Sequence, residues 1–245
     1  MIGYDNKYNE VYILKVEIWS DVACPFCYIG KRSFEEALSN FSNNEQVEVE
    51  YRSFELDPKA PKDIQQDVYD MLAAKYGMSR DKAKEMNQNV SRMAEMVGLK
   101  MEFDTMVLTN TFDAHRLTHL AEKHGKRSEM TEQLFKAYFT DSKHVGDHEE
   151  LTDLAEAIGL NKQEVLDVLT SSAYSTEVRA EERDAQQLGV NGVPFFVINR
   201  KLGISGAQSA DYFLNALKQA WAEEPKLTIL TNEDGSVCKD DGCSV

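Results

Sequence analysis

A chain of 245 residues, 42% hydrophobic and 28% charged, can bury a sizeable core, and these proportions exclude a disordered polypeptide or one embedded in a membrane. No apolar run approaches the ~20 residues that cross a bilayer. The formal net charge of −15 argues against nucleic acid and anionic membrane as partners, because their phosphates need a basic face.

The first ten residues lack a basic region, and the apolar stretch from Val11 to Val16 is short and broken by Lys15. No secretory signal is expected there, and a cytoplasmic location follows. Residues 12–19 alternate in polarity with β-branched and aromatic enrichment and stop at Ser20-Asp21, which predicts a strand. A helix is predicted from Pro25, since proline suits a first turn and Phe26, Ile29, Phe34, Ala37, Leu38 and Phe41 fall near one face. Gln46 to Phe54 alternates again and closes a β-α-β unit.

From Asp63 to Leu188 the pattern is helical, with breaks at Gly77-Met78-Ser79, Gly98, Gly125, Gly146-Asp147 and Gly159, and with Ser79 and Asp147 as N-caps. Met71, Met93, Met96, Leu134, Phe135, Tyr138 and Phe139 stand at helical spacing and are expected in a core. Val190 to Arg200 predicts a strand entered through Gly192-Val193-Pro194. Leu202 to Ser205 pairs back across the turn, and a last helix runs from Gly206-Ala207-Gln208-Ser209 to about Ala222. The fold class is therefore α/β, a thioredoxin-like fold (β-α-β, then β-β-α) with a large inserted α-helical domain. Its expected parts are residues 1–60 and 190–224 for the thioredoxin-like halves, 61–189 for the insertion and 225–245 for a tail.

The four cysteines form two close pairs, too few to staple a scaffold; in a reducing compartment such pairs suggest redox or metal chemistry. Cys24-Pro25-Phe26-Cys27 falls at the first strand-to-helix junction. A thiolate, not a thiol, attacks a disulfide, and a helix N-terminus favours the anion through its free N–H groups and dipole. Cys24, just before the helix, is the expected nucleophile, exposed and acidic. Cys27, one turn in, is the expected resolving thiol, buried and inert. The same spacing is half a zinc site, for which Cys238/Cys243, His115/His119 or His144/His148 could supply the rest. Pro25 opening an amphipathic helix directly after a strand favours the redox motif, and no metal is expected.

Val193-Pro194 is the second element, because X-Pro bonds are the ones commonly cis. A cis proline at a strand start turns the preceding backbone outward for an extended substrate. Val193, Pro25 and Phe26 are thus expected to bind substrate beside Cys24, Cys27 and Pro194. The partners are protein or small-molecule disulfides and thiols. No cofactor is expected beyond the redox-active disulfide itself, with glutathione as a candidate reductant.

The segments Asp21-Val22-Ala23-Cys24-Pro25-Phe26-Cys27-Tyr28-Ile29-Gly30-Lys31, Asn110-Thr111-Phe112-Asp113-Ala114-His115-Arg116-Leu117, Gly192-Val193-Pro194-Phe195-Phe196-Val197 and Ser205-Gly206-Ala207-Gln208 resemble the FrnE-type branch of the DsbA oxidoreductase family. The resemblance spans about residues 13–222. It implies a thioredoxin-like domain with a helical insertion, a CxxC active site beside a cis proline, thiol–disulfide oxidoreductase or disulfide isomerase activity, and substrate contacts from His115 and Arg116. The alternative is a glutathione-dependent isomerase or transferase of the kappa-class or 2-hydroxychromene-2-carboxylate isomerase type, relatives that carry serine where this chain has Cys24. Strongly oxidising DsbA carries Pro-His between its cysteines; Pro25-Phe26 implies a less oxidising couple.

The tail holds Cys238-Lys239-Asp240-Asp241-Gly242-Cys243, whose turn-forming spacer can bring both sulfurs into bonding range. It is read as a second redox pair, with a structural disulfide or metal clip and a plain tail as the other two readings.

Overall fold

The computed structural model describes residues 12–223. Four strands form one sheet in the order β2-β1-β3-β4, with β1 (Leu14–Ser20) parallel to β2 (Val47–Ser53) and antiparallel to β3 (Phe195–Ile198), which pairs with β4 (Leu202–Ser205). The two-residue period of β1 sorts its side chains. Leu14, Val16 and Ile18 face one side, where they meet Phe196, Ile198 and Ile204 under α1 (Pro25–Ser39) and α9 (Ala210–Ala222). Trp19 faces the other and packs on Val197 and Ala185.

The three-residue β3–β4 connection, Asn199 to Lys201, places Asn199 and Arg200 both in the left-handed region, with the Lys201 amide closing on the Ile198 carbonyl at 3.0 Å, and asparagine tolerates that region well. The strand expected over 190–200 is confined to Phe195–Ile198, because Pro194 has no N–H for the ladder.

Between the two halves run α2 (Val68–Tyr76), α3 (Arg80–Met96), α4 (Phe112–Lys123), α5 (Arg127–Phe139), α6 (His148–Ala157), α7 (Lys162–Leu169) and α8 (Ser175–Gln187). The glycine breaks lie between them as expected. Ser79 caps α3 through the Lys82 amide, and Asp147 caps α6 through those of Glu149 and Glu150. α4 is the central helix of the insertion: every residue from Ala114 to Ala121 is buried.

Two expectations need correction. Met93 and Met96 are exposed, 43% and 86%, because α3 buries the stripe Ala83, Asn87, Val90 and Ala94 and the methionines fall off it. Residues 61–189 are also not wholly outside the sheet-bearing unit. α8 covers the sheet face opposite α1 and α9, where the Trp19 indole N–H donates to the Glu181 carbonyl at 2.9 Å. Helical periodicity shows that a face is apolar, not what it packs against.

Candidate active site

Pro25 starts α1 at its first position and leaves Cys24 as the N-cap residue, in extended conformation. The turn before it is closed by the Cys24 amide on the Asp21 carbonyl at 3.1 Å, and the Cys27 amide returns to the Cys24 carbonyl at 3.0 Å. Cys24 thus sits at the positive end of a 15-residue helix with Cys27 one turn inside it. Both are free thiols and both are buried, Cys24 4% and Cys27 2% exposed. Cys27 is buried as expected; Cys24 was expected to be exposed and is not. The reason is that both cysteines, with Val22, Tyr28 and Ile29, belong to a core shared with the insertion, on which Ala23, Val193 and Ala207 also pack.

Burial pushes the Cys27 thiol well above its ordinary range; the neighbouring Cys24 and the charge of Asp21 add to the shift. Phe26, expected on the apolar face of α1, is exposed at 38%, at the helix's first turn, while α9 packs on the later turns around Phe34 and Ala37. Pro25 is half-buried beside it.

The Val193–Pro194 peptide is cis. The Cys24 thiol donates to the Val193 carbonyl at 3.5 Å, so this loop meets the nucleophile directly. Gly30 allows the approach: a Cβ there would lie 3.2 Å from Pro194 Cγ and 3.4 Å from Phe196 Cζ. Residues 24, 27, 193 and 194 therefore converge as the sequence suggests, with Pro25 and Phe26 at the rim.

Behind the turn lies Asp21, 1% exposed. Its Oδ1 accepts from the Thr111 hydroxyl at 2.8 Å and the Ala23 amide at 3.3 Å and lies 3.3 Å from His115 Nε2; its Oδ2 accepts from the Leu56 amide at 2.7 Å. Burial pushes the carboxyl up, but His115 and the backbone and hydroxyl donors outweigh it and hold Asp21 below its usual range.

His115 is therefore a buried partner of the active-site turn and not, as expected, a substrate-contacting residue. Arg116 is a second correction. Its guanidinium is buried against Asp113 at 2.8 Å and the carbonyls of Ala173 at 2.8 Å, Ser171 at 2.6 Å and Val168, where it closes the C-terminal end of α7. Cations suit that end of a helix, and none of its surface is offered to substrate.

Sequence reasoning did not assign roles to Asp21 and Thr111. Both stand in the segments that carry the family resemblance, but an aspartate ahead of Cys-Pro looks like a turn residue until its burial is seen. Among the described residues no cluster of three His, Cys, Asp or Glu side chains has metal-binding geometry. Cys238 and Cys243 lie outside the described residues. Within those residues no helix is long and apolar enough to cross a membrane.

The comparisons agree with this geometry. The chain is 46% identical to a probable DsbA oxidoreductase from Streptomyces coelicolor, whose crystal structure superposes with a TM-score of 0.84 over 95% of this chain and 99% of that one. It is 30% identical to the uncharacterised protein YwbO of Bacillus subtilis over 82% of this chain and 94% of that protein. The fold is also that of the cytosolic disulfide reductase DsbM of Pseudomonas aeruginosa, solved with glutathione, at 16% identity and a TM-score of 0.60, covering 85% of this chain and 99% of that one. The DSBA-like thioredoxin domain profile matches residues 15–218, and the chain belongs to that family.

Proposed function

We propose that the chain is a thiol–disulfide oxidoreductase of the FrnE-type branch, acting on protein or small-molecule disulfides in the cytoplasm through a mixed disulfide on Cys24. The observation that carries this is the Cys24 thiol at the N-terminus of α1, held on the carbonyl that precedes cis-Pro194, with Cys27 buried one turn behind it. In the reducing direction the Cys24 thiolate attacks one sulfur of a substrate disulfide and expels the other as a thiolate. Cys27 then attacks Cys24, closing the Cys24–Cys27 disulfide and releasing the second substrate thiol. The Val193 backbone pairs with an extended substrate, and Pro25 and Phe26 supply an apolar rim. Glutathione is the proposed reductant that restores the dithiol; isomerase activity follows if Cys24 can release a mixed disulfide before Cys27 attacks.

The test is turnover of insulin and of oxidised glutathione by the wild type, Cys24→Ser and Cys27→Ser proteins. Loss of turnover in both variants is the expected result. Activity that requires glutathione, survives Cys27→Ser and isomerises a non-disulfide substrate would replace this reading with a glutathione-dependent isomerase or transferase.

A further inference from the structure

The two edges of the sheet differ. β2, on one side, carries Glu48, Glu50 and Arg52, with Glu50 paired to Lys15 and Arg52 to Glu181, and α5 and α8 pack against it. Charged side chains and covering helices keep an edge strand from pairing with another chain. β4, on the other side, is Leu202-Gly203-Ile204-Ser205; it has no charge and no proline, and Gly203 and Ser205 are exposed.

The alternation of hydrogen bonds in an antiparallel pair shows which backbone groups that edge offers. The Gly206 amide donates to the Pro194 carbonyl at 2.8 Å, and the register sets Phe195 against Ser205 and Val197 against Gly203. Residues 202, 204 and 206 therefore turn their backbone groups toward β3, and Gly203 and Ser205 turn theirs outward. Two groups at the edge are already used. The Ser205 carbonyl accepts from Gln208 Nε2 at 2.8 Å, and the Lys201 amide donates to the Ile198 carbonyl at 3.0 Å. The Lys201 carbonyl has no donor among the described residues. The edge thus offers the Gly203 amide and carbonyl, the Ser205 amide and the Lys201 carbonyl.

These partial charges are complementary to those of the same edge turned through a two-fold axis. With Gly203 opposite Gly203 of a second copy, the two glycines exchange both backbone bonds, and each Ser205 amide meets the other copy's Lys201 carbonyl. The atoms this register would leave over, the Ser205 carbonyl and the Lys201 amide, are the two already satisfied within the chain. Leu202 faces Ile204 of the other copy on one face of the joined sheet, and Lys201 faces neutral Ser205 on the other. Tyr212 flanks the same edge. It stands about two and a half helical turns from Trp221, hence on the opposite side of α9. The Trp221 ring meets Tyr12 at 5.0 Å and Phe41, just after α1, at 5.9 Å, so Tyr212 lies on the flank of α9 away from α1, where it is 53% exposed.

We propose that β4 is a homodimer interface, at which two copies of this chain pair antiparallel and join their four-stranded sheets into one. A parallel strand supplied by the residues after α9 does not fit there. β4 runs parallel to β1, and α9 lies on the same face as α1, but a strand beyond β4 would lie on the side opposite to β2. Its crossover would have the opposite hand to that of β1-α1-β2, and parallel β-α-β units are almost always right-handed. Each copy carries a net charge of −15, so the two repel at long range and pairing strengthens as salt screens them. The interface is short, which makes it a weak and concentration-dependent one.

The experiment is sedimentation equilibrium of the full-length protein from about 1 μM to about 1 mM, at low and high salt, under a reductant that prevents cross-linking through cysteines. Hydrogen exchange of the Gly203 and Ser205 amides is followed at the same concentrations. A monomer–dimer equilibrium that strengthens with salt, and protection of both amides that rises with protein concentration, are the expected results. In Ser205→Lys, a lysine faces Lys201 of the other copy at each end of the pair, and dimerisation should weaken by about tenfold; adding Lys201→Glu should restore it. Tyr212→Glu, at an exposed helix position that keeps the fold, should weaken it as well. A monomer throughout the range overturns the proposal, as does dimerisation that Ser205→Lys and Tyr212→Glu both leave unchanged. Amide protection that does not vary with concentration would mean that the chain's own residues cover the edge, and it overturns the proposal equally.

Discussion

The Cys24 sulfur has two neighbours that set its chemistry, the N-terminal end of α1 and the Val193 carbonyl. The first presents positive charge to the sulfur and the second negative, so a nearby cation would add to the first. Phe26 supplies none. Replacing it with histidine adds a cationic donor at a position that is 38% exposed. Phe26→His should therefore make the Cys24–Cys27 couple more oxidising by ~30 mV or more, where ~30 mV is about a tenfold change in the equilibrium with glutathione. Equilibration against glutathione buffers measures the potential; an unchanged or more reducing couple would show that the residue between the cysteines does not tune this site. The cysteine pair and Pro194 were legible from sequence because their chemistry depends on spacing and on local backbone. Arg116 was misplaced because one residue along a helix turns the side chain by about 100°, away from the site that His115 approaches.

At the level of elements, α1 touches the cis-proline strand, α9 and α5 at once, and Gly30 is the point of closest approach. A Gly30→Val side chain would crowd the Pro194 and Phe196 side chains and the Ala207 Cα, which stand 3.2, 3.4 and 3.5 Å from where its Cβ would lie. The expected cost is about 1–3 kcal/mol, a melting temperature lower by a few degrees, with a parallel loss of turnover as Pro194 is pushed from Cys24. A stable variant with full turnover would mean that the strand does not need this approach. The next residue, buried Lys31, ties α1 to α5 through Glu132 at 2.8 Å, and Tyr28 reaches the same carboxylate at 2.8 Å. The existence of these helices and their caps was legible because capping side chains and glycine breaks act locally. Their partners were not: nothing in the Ser175–Gln187 pattern distinguishes a helix that covers the sheet from one that packs in the insertion, and the Ala83, Asn87, Val90, Ala94 stripe of α3 is hidden by larger methionines beside it.

Across the whole molecule, the sheet, α8 and the insertion meet in a charge network centred on Glu181. Its carboxylate accepts from the Ser53 amide at 2.6 Å, Arg127 at 2.7 Å and Arg52 at 3.0 Å, with His119 at 3.3 Å. Burial alone would raise its pKa, but His119 and Arg127 outweigh burial and hold it well below the ordinary 4.5. A folded-state value depressed in this way contributes stability that is fully present above about pH 4.5 and is lost as pH falls through the lower folded value. Glu181→Gln should therefore cost about 1.5–3 kcal/mol near neutral pH, since it removes the charge that Arg52, Arg127 and His119 share, although Arg52 keeps Glu17 and Arg127 keeps Glu122, and should flatten the acid limb of melting temperature against pH. An acid limb as steep as that of the wild type would remove Glu181 from the account of acid stability.

The whole-molecule claim is that this scaffold holds one attacking and one resolving thiol. The most direct measurement is mass spectrometry of Cys24→Ser and Cys27→Ser proteins after brief exposure to oxidised glutathione, with peptide mapping of any adduct. The expected result is rapid accumulation of a glutathione mixed disulfide on Cys24 in Cys27→Ser, because release is blocked, and almost none on Cys27 in Cys24→Ser, where that thiol is buried with its proton held on; the mapping separates any adduct on Cys238 or Cys243. Equal labelling of Cys24 in one variant and Cys27 in the other, or an adduct that maps chiefly to Cys27, would contradict the assignment of Cys24 as the nucleophile.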